Sequence, residues 1–90
     1  MQQIKSIDEL KKEASSNNGD YTEFFIVLNF GTRTSKRIRY DSDENRFDIY
    51  NEIDDSYQDD LTEEQLTNET HIVLAINQGA LYKYDFLKCS

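Results

Sequence analysis

Two pairs of apolar residues flanking a short polar run constrain this chain more than any other feature. Ile38 and Tyr40 precede the tetrad Ser42-Asp43-Glu44-Asn45, and Phe47 and Ile49 follow it. Alternation with a period of two belongs to strands, and residues 42–45 are turn formers. A four-residue loop there sets Asp41 opposite Arg46, Tyr40 opposite Phe47, Arg39 opposite Asp48, Ile38 opposite Ile49 and Arg37 opposite Tyr50. One face of the hairpin is then apolar. The other opposes Arg39 to Asp48 and sets the Arg37 cation on the Tyr50 ring. A slip of one residue would place Ile38 against Asp48, so the side chains select the register.

The remaining elements are read outward from this hairpin. Ser6-Ile7-Asp8-Glu9 is a capping box with Ser6 as N-cap and Glu9 at N3. Ile7, Leu10 and Ala14 share the apolar face of the helix it starts, which ends near Ser15 and Ser16 before the turn formers Asn17-Asn18-Gly19-Asp20. Residues 21–30 form the clearest strand, with Phe24, Ile26 and Leu28 on one face and Phe25 and Val27 on the other. A strand apolar on both sides is expected to be central and covered on both faces. Residues 52–60 read as an acidic connection. Thr62 and Gln65 then open a short helix, with Leu61 stapled to Leu66. Residues 70–79 fit a helix from Thr70 to the C′ glycine Gly79, with Ile72, Val73 and Ile76 on one face. They also fit one arm of a hairpin, and the helix is favoured because both its ends are marked. Residues 80–86 read as a last strand, with Leu81 and Lys83 opposite in sense to Tyr82 and Tyr84. The expected fold is a single α+β domain over residues 1–90. It has an antiparallel sheet of about four strands, an N-terminal helix and one or two short helices before the last strand.

Charge separates this chain from several function classes. Residues 1–40 hold seven basic and five acidic residues, whereas residues 41–69 hold twelve acidic residues against Arg46 alone. Such a block repels nucleic acid and anionic membrane and attracts a basic surface. The longest apolar runs, residues 24–28 and 72–76, are far short of the ~20 needed to span a membrane. Met1-Gln2-Gln3-Ile4-Lys5 lacks the pattern of a signal peptide, and the single cysteine, Cys89, permits no disulfide within the chain. The expected compartment is the cytoplasm.

Each candidate chemical motif has a plainer reading. Asp41, Asp43, Asn45 and Glu52 match the calcium-loop spacing, but Arg46 stands where the sharp turn needs glycine and the flanks read as strands. No metal or cofactor is expected. Arg33, Lys36, Arg37 and Arg39 suggest a nucleic-acid stripe, yet the hairpin register already engages two of them. His71 has no nucleophile or orienting group tied to it by spacing. Cys89 has no activating neighbour, and the three scattered glycines form no phosphate-binding loop. No catalytic residues are assigned, and an enzyme is not expected.

The acidic block is the remaining candidate. In extended chain, carboxylates two residues apart lie ~6.7 Å apart on one face. Asp41 with Asp43, and Glu52 with Asp54, would then form rows like a phosphate backbone. Asp55, Asp59 and Asp60 extend the charge, and Tyr50, Ile53 and Tyr57 supply anchors that bare charge lacks. In size, charge and composition the chain resembles the small acidic orphan proteins of bacterial phages and mobile elements, some of which inhibit restriction or CRISPR enzymes. That resemblance implies a non-catalytic protein that docks on a basic protein surface, as a DNA-mimic-type inhibitor of a nucleic-acid enzyme does. The second expectation is an assembly protein, homodimeric through the strand over residues 21–30 or an edge strand.

Overall fold

The computed structural model of the chain describes residues 2–27 and 31–84. Its described residues form a six-stranded antiparallel sheet and three helices, an α+β arrangement. In chain order the elements are β1 (Gln2–Gln3), α1 (Ile7–Ala14), β2 (Thr22–Val27), β3 (Arg33–Asp41), β4 (Arg46–Asn51), β5 (Ser56–Leu61), α2 (Glu63–Glu69), α3 (Ile72–Asn77) and β6 (Leu81–Lys83). The strand order across the sheet is β1-β6-β2-β3-β4-β5. Strands β2 to β5 therefore follow one another as a meander, and β6 returns to lie between β1 and β2.

The β3–β4 hairpin pairs in the register that its side chains dictate, from Asp41↔Arg46 through Ile38↔Ile49 to Arg37↔Tyr50. Ile38, Phe47 and Ile49 are fully buried, and Tyr40 packs against the core beside Phe47 at 4.7 Å between ring centroids. Phe24 and Ile26 from β2, Leu61 from β5 and Leu81 from β6 join the same apolar layer. Leu10 and Ala14 of α1, Leu66 of α2 and Ile72, Ala75 and Ile76 of α3 close over it. Burying a side chain of this size contributes about 1.5–3 kcal/mol.

The helix ends follow local chemistry. The Ser6 side chain accepts the Glu9 N–H at 3.1 Å, but the Glu9 carboxylate accepts from the Lys5 N–H instead of closing the expected box on Ser6. At α2 both halves of the box form. The Gln65 N–H donates to Thr62 Oγ1 at 3.1 Å, and the Thr62 N–H donates to Gln65 Oε1 at 2.9 Å. Residues 72–77 are helical. Gly79, at φ 69°, ends α3 in a left-handed cap, with the Gly79 N–H on the Ile76 carbonyl and the Ala80 N–H on the Ala75 carbonyl. The N-cap is His71 instead of Thr70, without a side-chain bond, although Thr70 Oγ1 does accept from the Ile72 N–H. The buried face is Ile72, Ala75 and Ile76, with Val73 only half-buried.

Several expectations are corrected. The sheet has six strands instead of about four, because β1 and β5 read as non-strand in the sequence. Strand β5 takes up residues 56–60 of the acidic segment taken for a connector, and residues 52–55 form the turn before it. It is held by its pairing with β4, and its only buried apolar residue is Leu61. Strand β2 is central, but among the described residues the helices cover one face only. Phe25 and Val27, on the face opposite the helices, are half-buried. Leu28 and residues 29–30 of that strand, residues 85–86 of the last strand and Cys89 lie outside the described residues. No helix among the described residues is long and apolar enough to cross a membrane.

Candidate functional site

The acidic residues singled out by sequence lie along the β4–β5 margin of the sheet, but they do not form one row. Asp41 and Asp43 sit at the β3–β4 turn. Glu52, Asp54 and Asp55 sit at the β4–β5 turn, at the opposite end of β4. Both four-residue loops close through a left-handed residue just before the next strand, Asn45 at φ 57° and Asp55 at φ 52°. Asn and Asp tolerate that conformation better than other side chains, which is why these polar segments turn here.

These turns overturn the phosphate-like rows. Asp41 Oδ1 folds inward to accept the Asp43 N–H at 2.9 Å. Glu52 pairs with Arg37 at 2.6 Å, so neither Asp41 with Asp43 nor Glu52 with Asp54 makes an extended ladder of carboxylates. The same geometry places Asp41 and Glu52 at opposite ends of β4, which breaks the calcium-loop spacing.

What the structure does bring together is an aromatic anchor. The β4–β5 register sets Tyr50 opposite Tyr57, with ring centroids 4.7 Å apart. The Tyr50 hydroxyl donates to Asp55 Oδ1 at 2.6 Å, and that hydrogen bond, ahead of burial, pushes the phenol up to about 12. Tyr57 remains 62% exposed and Ile53, on the turn beside it, 74% exposed. The turn is fixed from within. Ser56 Oγ donates to Asp54 Oδ1 at 2.7 Å and accepts from Asn51 Nδ2 at 3.4 Å.

The carboxylates around this anchor make hydrogen bonds within the turn, Asp55 from Tyr50 and Asp54 from Ser56, but no described ion pair. Among the described residues, ion pairs join Lys11 to Glu63, Arg37 to Glu52, Arg39 to Asp48 and Lys83 to Glu13, and none involves Asp54, Asp55, Asp59 or Asp60. All four aspartates are exposed. No lysine or arginine occurs between Arg46 and Lys83 in the sequence.

The open sheet face beside the anchor is more self-contained. Arg39 donates through Nε and NH2 to Asp48 Oδ2, at 3.1 and 2.8 Å, and lies over the Tyr21 ring at 4.5 Å. Asp48 Oδ1 accepts the Asp60 N–H from β5 at 2.9 Å, so one carboxylate ties β3 to β5 across β4. Burial holds the Tyr21 hydroxyl above the ordinary tyrosine range, although the Arg39 charge acts the other way. Arg37 was expected on the Tyr50 ring. It pairs with Glu52 instead, and the Tyr50 ring packs on Tyr57.

Two other places have polar character. A cleft of 420 Å³ is lined by Ser15, Gly19, Arg39, Tyr40, Asp41, Ser42 and Asp48. Its charged groups are already matched: Arg39 to Asp48, Asp41 to its own turn, and the Tyr40 hydroxyl to Asn45 Oδ1 at 2.6 Å. On the helix-covered side, Lys36 donates to Asn51 Oδ1, and burial holds its amine below the ordinary lysine range. Leu74 of α3 is 53% exposed, an apolar surface the helical pattern did not single out. No protein-family model matches the chain, and neither does any curated protein or solved structure.

Proposed function

We propose that this chain is a non-catalytic acidic binding protein that docks on the basic surface of another protein through its β4–β5 hairpin. The observation that carries this reading is the Tyr50–Tyr57 pair, with Tyr57 and Ile53 exposed, set among four exposed aspartates that form no ion pair among the described residues. Interface energy concentrates on desolvated aromatic anchors, while surrounding charge steers encounter and excludes wrong partners. A solubilising coat needs only the charge. Nucleic-acid enzymes are the natural class of target, because their substrate grooves are basic, and inhibition follows if the hairpin occupies such a groove. The proposed setting is the cytoplasm, and a source among phages or mobile elements accords with the size and charge.

The homodimer reading has less support. Strand β2, within residues 21–30, is already paired on both sides by β3 and β6, β1 offers only two described residues, and pairing β5 with its own copy would bring two acidic strands together. The docking reading is tested by capture of basic proteins from a bacterial lysate at low and high salt. Wild-type chain is compared with Tyr57→Ala and with the quadruple charge reversal Asp54→Lys, Asp55→Lys, Asp59→Lys and Asp60→Lys. Capture that is weakened by salt and lost in both variants is expected. Capture that survives charge reversal would sink the proposal.

A further inference from the structure

We propose that β5 is a docking edge, which takes an extended basic segment of the partner as a seventh strand. This inference rests on the docking reading above and specifies its mode. In the order β1-β6-β2-β3-β4-β5 the strand has, among the described residues, a neighbour on one side only, so half of its backbone N–H and C=O groups face away from the sheet. The opposite edge, β1, is two residues long and too short to template a strand.

Natural sheet edges are guarded against indiscriminate pairing by charge and by bulges. Strand β5 carries both at one end. Its register with β4 is irregular between the Phe47 and Ile49 pairs, and Asp60 adopts φ 56°. This guard rejects a second copy of the chain, which would bring like charges together, but it does not reject a cationic strand. The other half is unguarded. Ser56, Tyr57 and Gln58 pair regularly with Asn51, Tyr50 and Ile49; Tyr57 is exposed there, as is Ile53 in the preceding turn. An edge built only for solubility would not carry an aromatic ring and a branched aliphatic chain there.

Charge complementarity then selects the occupant. Asp55, the last residue of the β4–β5 turn, and Asp59, two residues beyond Tyr57 on β5, lie on either side of Tyr57 in the chain. A partner strand with Lys or Arg at positions i and i+4, and an aliphatic residue at i+2, would set its cations beside the two carboxylates and its apolar side chain on Tyr57. Backbone hydrogen bonds would supply affinity, and the alternating side chains would supply selectivity.

The test uses the full chain, isotope-labelled for NMR, and the peptide acetyl-Lys-Thr-Val-Thr-Lys-Thr-amide at low salt. Two control peptides of the same sequence carry N-methyl groups on alternate residues, one in each phase, which removes donors from one side of the strand without altering charge. The unmodified peptide is expected to slow amide exchange across residues 56–61. One methylated phase should bind roughly tenfold or more weakly, the size expected when two net hydrogen bonds are removed, while the other phase binds like the parent. Equal affinity for all three peptides overturns strand addition and leaves acidic docking standing. Strand addition is likewise overturned, with docking intact, if poly-lysine binds and the short peptide does not. If neither poly-lysine nor the peptide binds, the docking reading falls with it.

Discussion

Replacing Asp48 tests how the acidic edge strand is held. Its carboxylate makes two separable contacts: Oδ2 meets the Arg39 guanidinium and Oδ1 accepts the Asp60 N–H. The side chain of Asp48 is 19% exposed and that of Arg39 is 38% exposed, so solvent screens the ion pair, which is worth about 0.5–1 kcal/mol. The bond to the Asp60 amide adds about 0.5–1.5 kcal/mol. Asp48→Ala should therefore cost about 1–2.5 kcal/mol. Asp48→Asn keeps an oxygen for the Asp60 N–H and should cost only about 0.5–1 kcal/mol. Urea midpoints at unchanged slope measure both values. A double-mutant cycle with Arg39→Ala should return a coupling of about 0.5–1 kcal/mol that shrinks in high salt. Hydrogen exchange at Asp60 should quicken in Asp48→Ala and hold in Asp48→Asn. If the two variants are equally damaging, or if Arg39 and Asp48 prove additive, the strap from β3 to β5 does not exist.

Other expectations concern single groups. Tyr50 should ionise near a value of about 12, above the ordinary tyrosine range, and Asp55→Asn should lower that value in an absorbance titration of tyrosinate. Because its folded value lies above its unfolded one, the stability that Tyr50 contributes is complete below about pH 10. It is lost as pH climbs toward about 12. Thr22 Oγ1 is buried without a hydrogen-bond partner among the described residues, so Thr22→Val should raise stability by about 1 kcal/mol in urea unfolding. Gly79→Ala should cost about 1 kcal/mol or more. Position 79 has φ 69°, and a new Cβ would stand 3.0 Å from Gln3 Nε2, so thermal unfolding should fall measurably.

The sequence was informative where side chains alone decide the structure. Ile38, Tyr40, Phe47 and Ile49 fix the hairpin because any slip buries a charge, and Thr62 with Gln65 declares a helix start through its own hydrogen bonds. Strand β5 was not legible, because its pairing rests on backbone groups and its side chains Tyr57, Asp59 and Asp60 point to solvent or into a bulge that breaks the alternation. The candidate site inherits that division. Tyr50, Tyr57 and the aspartates could be named from composition and position. Their assembly into one anchor could not be foreseen, because it depends on a hairpin hidden under an acidic connector. The pairing of Arg37 with Glu52 was hidden for the same reason.

The placement of β6 has a consequence for synthesis. Each strand of the β2–β5 meander meets its neighbour across a short stretch of chain, so the meander can assemble as it leaves the ribosome. The slot between β1 and β2 must wait for Leu81–Lys83, the last described strand to be made. Until it arrives, the Phe24 and Ile26 strand keeps an open flank and β1 has no partner. A nascent chain stalled before residue 81 would thus expose an aggregation-prone edge that the finished protein conceals.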